Sequence, residues 1–169
     1  MNTNKTEKIT TTAMMAALVF VGTYFFKIPT SFGYTHLGDC MIILAVCLFG
    51  TKRGAIAGAI GAGLADLLGG YAVWAIPTII FKSLWAIVMG FVAYKLLPNV
   101  KFNWLIGAIV GGIVHVICYT LIKIPLYGMA YAIVRIPVIS GQTICGIIIG
   151  SVLYTVLYQT PAIKKIAAK

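Results

Sequence analysis

Apolar residues in this sequence gather in long unbroken runs rather than in stripes. Six runs occupy residues 9–28, 36–49, 54–69, 74–96, 104–122 and 137–158. Most approach the roughly 20 residues that a helix needs to cross a bilayer. The alternation of apolar and polar residues expected of a transmembrane barrel is absent. The pattern predicts an all-α integral membrane protein: one domain over 1–169, six transmembrane helices and short connections. The second run is the exception. Its length gives roughly 21 Å of helix, short of the roughly 30 Å of hydrocarbon. The preceding segment, 29–35, is therefore expected to dip inward, which irregular backbone tolerates only beside protein or a wet cavity.

Composition agrees. Of 169 residues, 61% are hydrophobic and 9% charged, more apolar surface than a soluble domain of this size can hide. The formal net charge is +10. In a soluble chain that would suggest nucleic acid; here the basic residues sit mostly between apolar runs, which points to membrane orientation. With the N-terminus inside, Lys5, Lys8, Lys52, Arg53, Lys95, Lys101, Lys164, Lys165 and Lys169 fall on one side, and Lys27, Lys123 and Arg135 on the other. Both termini are expected to be cytoplasmic. The lipid bilayer is thus the expected partner, and nucleic acid is not. Cys40, Cys47, Cys118 and Cys145 lie inside apolar runs without a CxxC pair and read as small buried hydrophobes. The first run lacks a small-residue cleavage site and does not read as a signal peptide.

Small residues recur every four positions: Gly50, Gly54, Gly58 and Ala62; Gly107 and Gly111; Gly146 and Gly150. Such spacing flattens one helix face for close packing inside the bundle. Ala13 and Ala17 differ, because the first span precedes its internal partners and the pair sits near the cytoplasmic end. An external helix docking there is the expectation.

Ionisable residues inside spans are candidates for function. Asp39 lies one turn into the second span and Asp66 one turn from the outer end of the third; the spans run oppositely, so both carboxylates reach one outer level. Lys82 lies roughly 12 Å into the fourth span by the helical rise, and its long stem can return the ammonium toward that level. His36 shares a face with Asp39. Gln142 and Tyr119 are within reach, and Tyr71 and Trp74 flank the outer turn GGYAVW. Arg135, before Pro137, is expected at the outer rim or in a lid over 125–135, with Pro137 opening the sixth span. Each candidate has a competing structural reading: an Asp66–Lys82 ion pair, belt anchoring for Tyr71 and Trp74, a core histidine at His115, water for His36, a backbone partner for Gln142. Their convergence on the outer half favours a cavity there, close to charge-balanced and suited to a small flat polar ring.

What the sequence lacks narrows the class. It has no phosphate loop, so ATP hydrolysis is not expected of it. It has no HExxH, its two histidines make a poor catalytic metal site, and no Ser-His-Asp order stands out; neither an enzyme, a metal nor a cofactor is expected. The halves show no repeat of the kind common in secondary transporters. The pattern is that of a binding module needing a motor.

The stretches GYTHLGDCMIILAVCLFG and GAIAGAIGAGLADLLGGYAVWAIPTIIFKSLWAIVMG resemble the substrate-binding S components of energy-coupling factor (ECF) vitamin transporters, in the branch that serves hydroxymethylpyrimidine, pyridoxine and riboflavin. The motif-level similarity covers 33–90. The resemblance implies a multi-pass protein of a bacterial cell membrane that captures a small vitamin or precursor, hydroxymethylpyrimidine or pyridoxine, on the outer side. It implies docking on a membrane coupling subunit driven by two cytoplasmic ATPase subunits, with Ala13 and Ala17 matching the family's Ala-x-x-x-Ala docking motif and 29–35 as the gate. Ligand contacts on the outer ends of later helices fit Asp66, Tyr71, Trp74, Lys82, Tyr119 and Gln142 by position. Asp39 either caps the second helix or faces the site. The competing reading is a proton-coupled secondary carrier relaying through Asp39, Asp66 and Lys82; an intramembrane enzyme using His36 and His115 is the remotest.

Overall fold

The computed structural model describes residues 3–30, 33–161 and 163. Six helices account for most of them: α1 Thr3–Tyr24, α2 Gly38–Phe49, α3 Thr51–Leu68, α4 Ala72–Phe91, α5 Asn103–Tyr127 and α6 Met129–Tyr158. A π-helical turn, Val92–Leu96, extends α4. Among the described residues, α4 with that turn, α5 and α6 are each long and apolar enough to cross a membrane. The eighteen residues of α3 give roughly 27 Å.

The shortest helix is the centre. Every residue of α2 except Met41 is buried, as expected of a helix apolar all round. Helices α1, α3, α4, α5 and α6 pack side by side in that order, and α2 packs against α1, α3, α4 and α6. The core joins Ile42, Ile43 and Val46 of α2 to Val19, Trp85, Met89 and Ala108. The small-residue stripes serve this packing. A Cβ at position 54 would strike Val46, so α2 and α3 approach to backbone distance as the four-residue spacing implied.

Three local expectations change. The first span does not continue to residue 28: α1 stops at Tyr24, and Lys27–Thr30 (β1) pairs antiparallel with Gly33–His36 (β2), Lys27 opposite His36. Proline at 29 drives Ile28 into extended backbone, which starts a strand. The expected gate is thus a hairpin, with Ser31 and Phe32 outside the described residues. The loop expected over 125–135 is replaced by helix: α5 runs through Pro125 and α6 starts at Met129, eight residues before Pro137. Proline is tolerated inside membrane helices because neighbours and local adjustments satisfy the freed carbonyl. Only Gly128 separates the two helices, at φ 87, a conformation that costs glycine alone nothing. The lid is therefore absent, and Arg135 sits inside a helix.

Candidate functional site: a polar cavity at the hairpin end of the bundle

A cavity of about 290 Å³ opens where α3, α4, α5 and α6 meet the hairpin. Its floor is a buried polar chain. The Lys82 ammonium on α4 donates to Asp39 Oδ1 on α2 at 2.5 Å and contacts His115 Nε2 on α5 at 2.9 Å. An ammonium has only donors, so His115 accepts at Nε2 and carries its ring proton on Nδ1. That proton faces Thr143 Oγ1 on α6 at 3.0 Å, and the Thr143 hydroxyl donates to the Ile139 carbonyl at 2.9 Å. Four helices are joined in one continuous series, with Lys82, Asp39, His115 and Thr143 all at most 3% exposed. The Trp85 ring, stacked on His115 at 4.5 Å, seals it from below.

Asp39 neither caps α2 through its side chain nor lines the cavity. It stands behind the floor, accepting from Lys82 and, at 2.8 Å, from the Gln142 amide. Glycine at 146 makes room: a Cβ there would sit 2.8 Å from the Asp39 Cβ. The ion pair weighed for Asp66 and Lys82 is corrected by this geometry. α2 presents Asp39 directly to α4, and Asp39 takes the ammonium.

One wall is aromatic. Trp74 lies parallel to Tyr119 and to Tyr127, each at 6.0 Å, and Tyr119 meets His115 edge-on at 4.8 Å. Tyr119 donates to Thr78 Oγ1 at 2.8 Å. Lys123 donates to the Tyr119 carbonyl at 3.1 Å and holds its ammonium 4.7 Å from the Trp74 ring centroid, a cation–π arrangement. The opposite wall is α6, with Arg135, Ile139 and Gln142. Gln142 ties the hairpin down: its Oε1 accepts from Thr35 Oγ1 at 3.0 Å, and its Nε2 lies 3.1 Å from His36 Nε2.

Seven of the eight residues singled out from sequence, His36, Asp66, Tyr71, Trp74, Lys82, Tyr119 and Gln142, line this one cavity; Asp39 is the eighth. His115, set aside as a core histidine, is in the lining. Thr78, Lys123, Tyr127, Tyr131, Arg135, Val138 and Ile139 were missed. The usable signal was spacing: Trp74, Thr78 and Lys82 recur every four residues, as do His115, Tyr119, Lys123 and Tyr127, and each set shares a helix face. The cavity is also less balanced than expected. Lys82, Lys123 and Arg135 carry three positive charges against Asp66 in the lining and Asp39 behind it. Among the described residues no group of His, Cys, Asp and Glu could hold a metal ion.

The chain as a whole is similar to known proteins. A family profile described as "ECF-type riboflavin transporter, S component" matches residues 3–159. The thiamine precursor transporter HmpT of Lactococcus lactis subsp. cremoris (strain MG1363) is 32% identical over 165 residues, 95% of this chain and 93% of that protein. An uncharacterized protein of Pyrococcus woesei is 36% identical over 130 residues, 77% of this chain and 86% of its own length. A solved structure described as "Structure and mechanism of the S component of a bacterial ECF transporter" superposes with a TM-score of 0.62 at 23% identity, covering 92% of this chain and 95% of that one. At that identity the likeness speaks for the fold.

Proposed function

The chain belongs to the S components of ECF-type transporters, and we propose that its cavity captures a single-ring, hydroxymethylated nitrogen heterocycle, a hydroxymethylpyrimidine foremost. As a member of that family it is a multi-pass membrane protein and a substrate-binding transport subunit, not an enzyme. The observation that carries the substrate reading is the size and lining of the cavity. About 290 Å³ stands at the low end of ligand pockets, which run from roughly 300 to 1,000 Å³. One ring suits that space better than a fused three-ring flavin, although the family's description names riboflavin. The name of the Lactococcus relative, a thiamine precursor transporter, favours the same class.

The chemistry of the walls supports a flat polar ring. Trp74 and Tyr119 offer π faces for stacking. Two of the three Lys82 donors are engaged by Asp39 and His115, which leaves one for a ring nitrogen or hydroxyl oxygen of a ligand. The Asp66 carboxylate accepts from an amino or hydroxyl substituent. Pyridoxine shares much of this chemistry and is the competitor to test.

In this reading the ligand enters from the outer side past the hairpin. Both termini face the cytoplasm, and Ala13 and Ala17 meet the membrane coupling subunit whose two ATPase partners drive release. The experiment is tryptophan fluorescence of the purified chain in detergent, titrated with hydroxymethylpyrimidine, pyridoxine, pyridoxamine, riboflavin, thiamin and pantothenate. Saturable quenching by hydroxymethylpyrimidine at low micromolar concentration or below is expected, with riboflavin inert. Saturation by riboflavin, or a flat response from folded protein to every compound, would overturn the substrate reading.

A further inference from the structure

A second concavity, of about 890 Å³, lies on the outer surface between α1 and α3. Its trough is apolar, with Ile9, Ile56, Ile60 and Leu64 beside Ala13 and Ala17. One end is basic: Lys5 and Lys8 come from the start of α1, Lys52 and Arg53 from the start of α3. The helices run the same way, because α2 returns antiparallel between them. Their N-terminal partial positive charges therefore add to the four side chains. Glu7 is the acidic residue at this end and offsets one of the four cations, which leaves a net side-chain charge of +3. Arg53 is fixed at the mouth, donating from Nε to the Phe49 carbonyl at 2.6 Å with its guanidinium 5.2 Å from the Phe49 ring centroid.

The dimensions match half a bilayer. From Lys5 to Phe20, and from Arg53 to Leu68, the helices rise roughly 22 Å. A single leaflet with its headgroup region contributes about half of the roughly 40–45 Å of the whole bilayer. A molecule with an anionic head at the basic end and a hydrocarbon chain along the trough satisfies both parts of the groove. A second copy of this chain does not, since a symmetric contact through this face would bring two +3 ends together.

We propose that the α1–α3 groove is a binding site for an anionic phospholipid, its phosphate held by Lys5, Lys8, Lys52 and Arg53 and one acyl chain laid over Ala13 and Ala17. The proposal concerns the chain alone in a membrane and is independent of the vitamin reading; a coupling subunit docking on Ala13 and Ala17 displaces this lipid.

Native mass spectrometry of the chain released from nanodiscs holding equal phosphatidylglycerol and phosphatidylcholine tests it. Phosphatidylglycerol adducts are expected to outnumber phosphatidylcholine adducts by about tenfold or more, since each basic residue near an anionic surface contributes measurably. Lys52→Gln with Arg53→Gln removes most of that preference. Ile60→Trp, which fills the trough and leaves the charges intact, lowers retention of the lipid. Lys95→Gln with Lys101→Gln, basic residues outside the groove, changes neither. Equal retention of the two lipids by the unaltered chain overturns the proposal, and that comparison needs no variant to fold. So does an equal loss in the Lys95/Lys101 variant, or recovery of a lipid-free dimer.

Discussion

Lys82 and Asp39, forty-three positions apart, form an ion pair with 1% and 0% of their side chains exposed, directly beneath a cavity. Removing two charges from water this thoroughly costs several kcal/mol per ion, and a good pair roughly recovers it. Stability alone therefore gives little reason for the pair, whereas its place under the cavity floor does.

The first prediction separates the two roles. Lys82→Met strands the Asp39 carboxylate, and Asp39→Asn strands the ammonium; each single change should destabilise the protein by about 3–5 kcal/mol. Asp39→Leu combined with Lys82→Met removes both charges and should regain most of the melting temperature. Ligand affinity should stay at least tenfold weaker in that double variant, because the floor has lost its donor. A double variant that melts like the unaltered chain and binds as tightly would make the pair purely structural.

Trp74 supplies both the reporter and the stacking face. Trp74→Phe should abolish ligand-induced quenching while calorimetric affinity falls little. Trp74→Ala should weaken binding about 10- to 100-fold, the range for losing one aromatic platform under a base, roughly 1–3 kcal/mol. Quenching that survives Trp74→Phe would place the ligand nearer Trp85 or Trp104.

The sequence disclosed the cavity's level but not its full lining. Asp39, Asp66, Lys82 and Gln142 stand out because each is a polar residue in an apolar run, and the opposite direction of successive spans sets their common depth. Lys123 and Arg135 were not placed in the lining, because the fifth apolar run ends at 122 and Pro137 reads as the start of the sixth, which left both cations outside the helices. Which carboxylate meets Lys82 depends on how far α2 and α3 are rotated about their axes, and depth alone leaves that open. The hairpin was hidden by its composition: Phe25, Phe26 and Ile28 prolong an apolar run past the point where α1 stops.

The coupling reading makes a prediction on the opposite face. Ala13 and Ala17 are exposed small residues on the α1–α3 groove. Ala13→Trp or Ala17→Trp should abolish co-purification with the coupling subunit and leave vitamin affinity unchanged, since bulk at a small-residue contact separates helices. In liposomes, the chain alone under a proton gradient should accumulate no ligand; the full complex with ATP should. Accumulation by the chain alone would favour a secondary carrier.

The last prediction concerns Gln142, which holds three groups at once. It accepts from Thr35 Oγ1, lies against His36 Nε2 and donates to Asp39 Oδ2. Thr35 and His36 end the second strand of the hairpin, so this single side chain on α6 joins the hairpin to the charged floor. Gln142→Leu keeps much of the volume and removes all three contacts. Asp39 then lacks one of its donors, at about 1–3 kcal/mol, and the hairpin loses its tie to α6. Amide hydrogens of Lys27, Ile28, Thr30 and Gly33–His36 should exchange about tenfold faster or more, as expected for a loss of ~1.4 kcal/mol, while those of α2 beyond its first turn should change little. Ligand dissociation should speed up in parallel if the hairpin covers the bound ring. Unaltered hairpin exchange in a folded Gln142→Leu protein would show that the strands hold their place without α6, and the route into the cavity would then have to lie elsewhere.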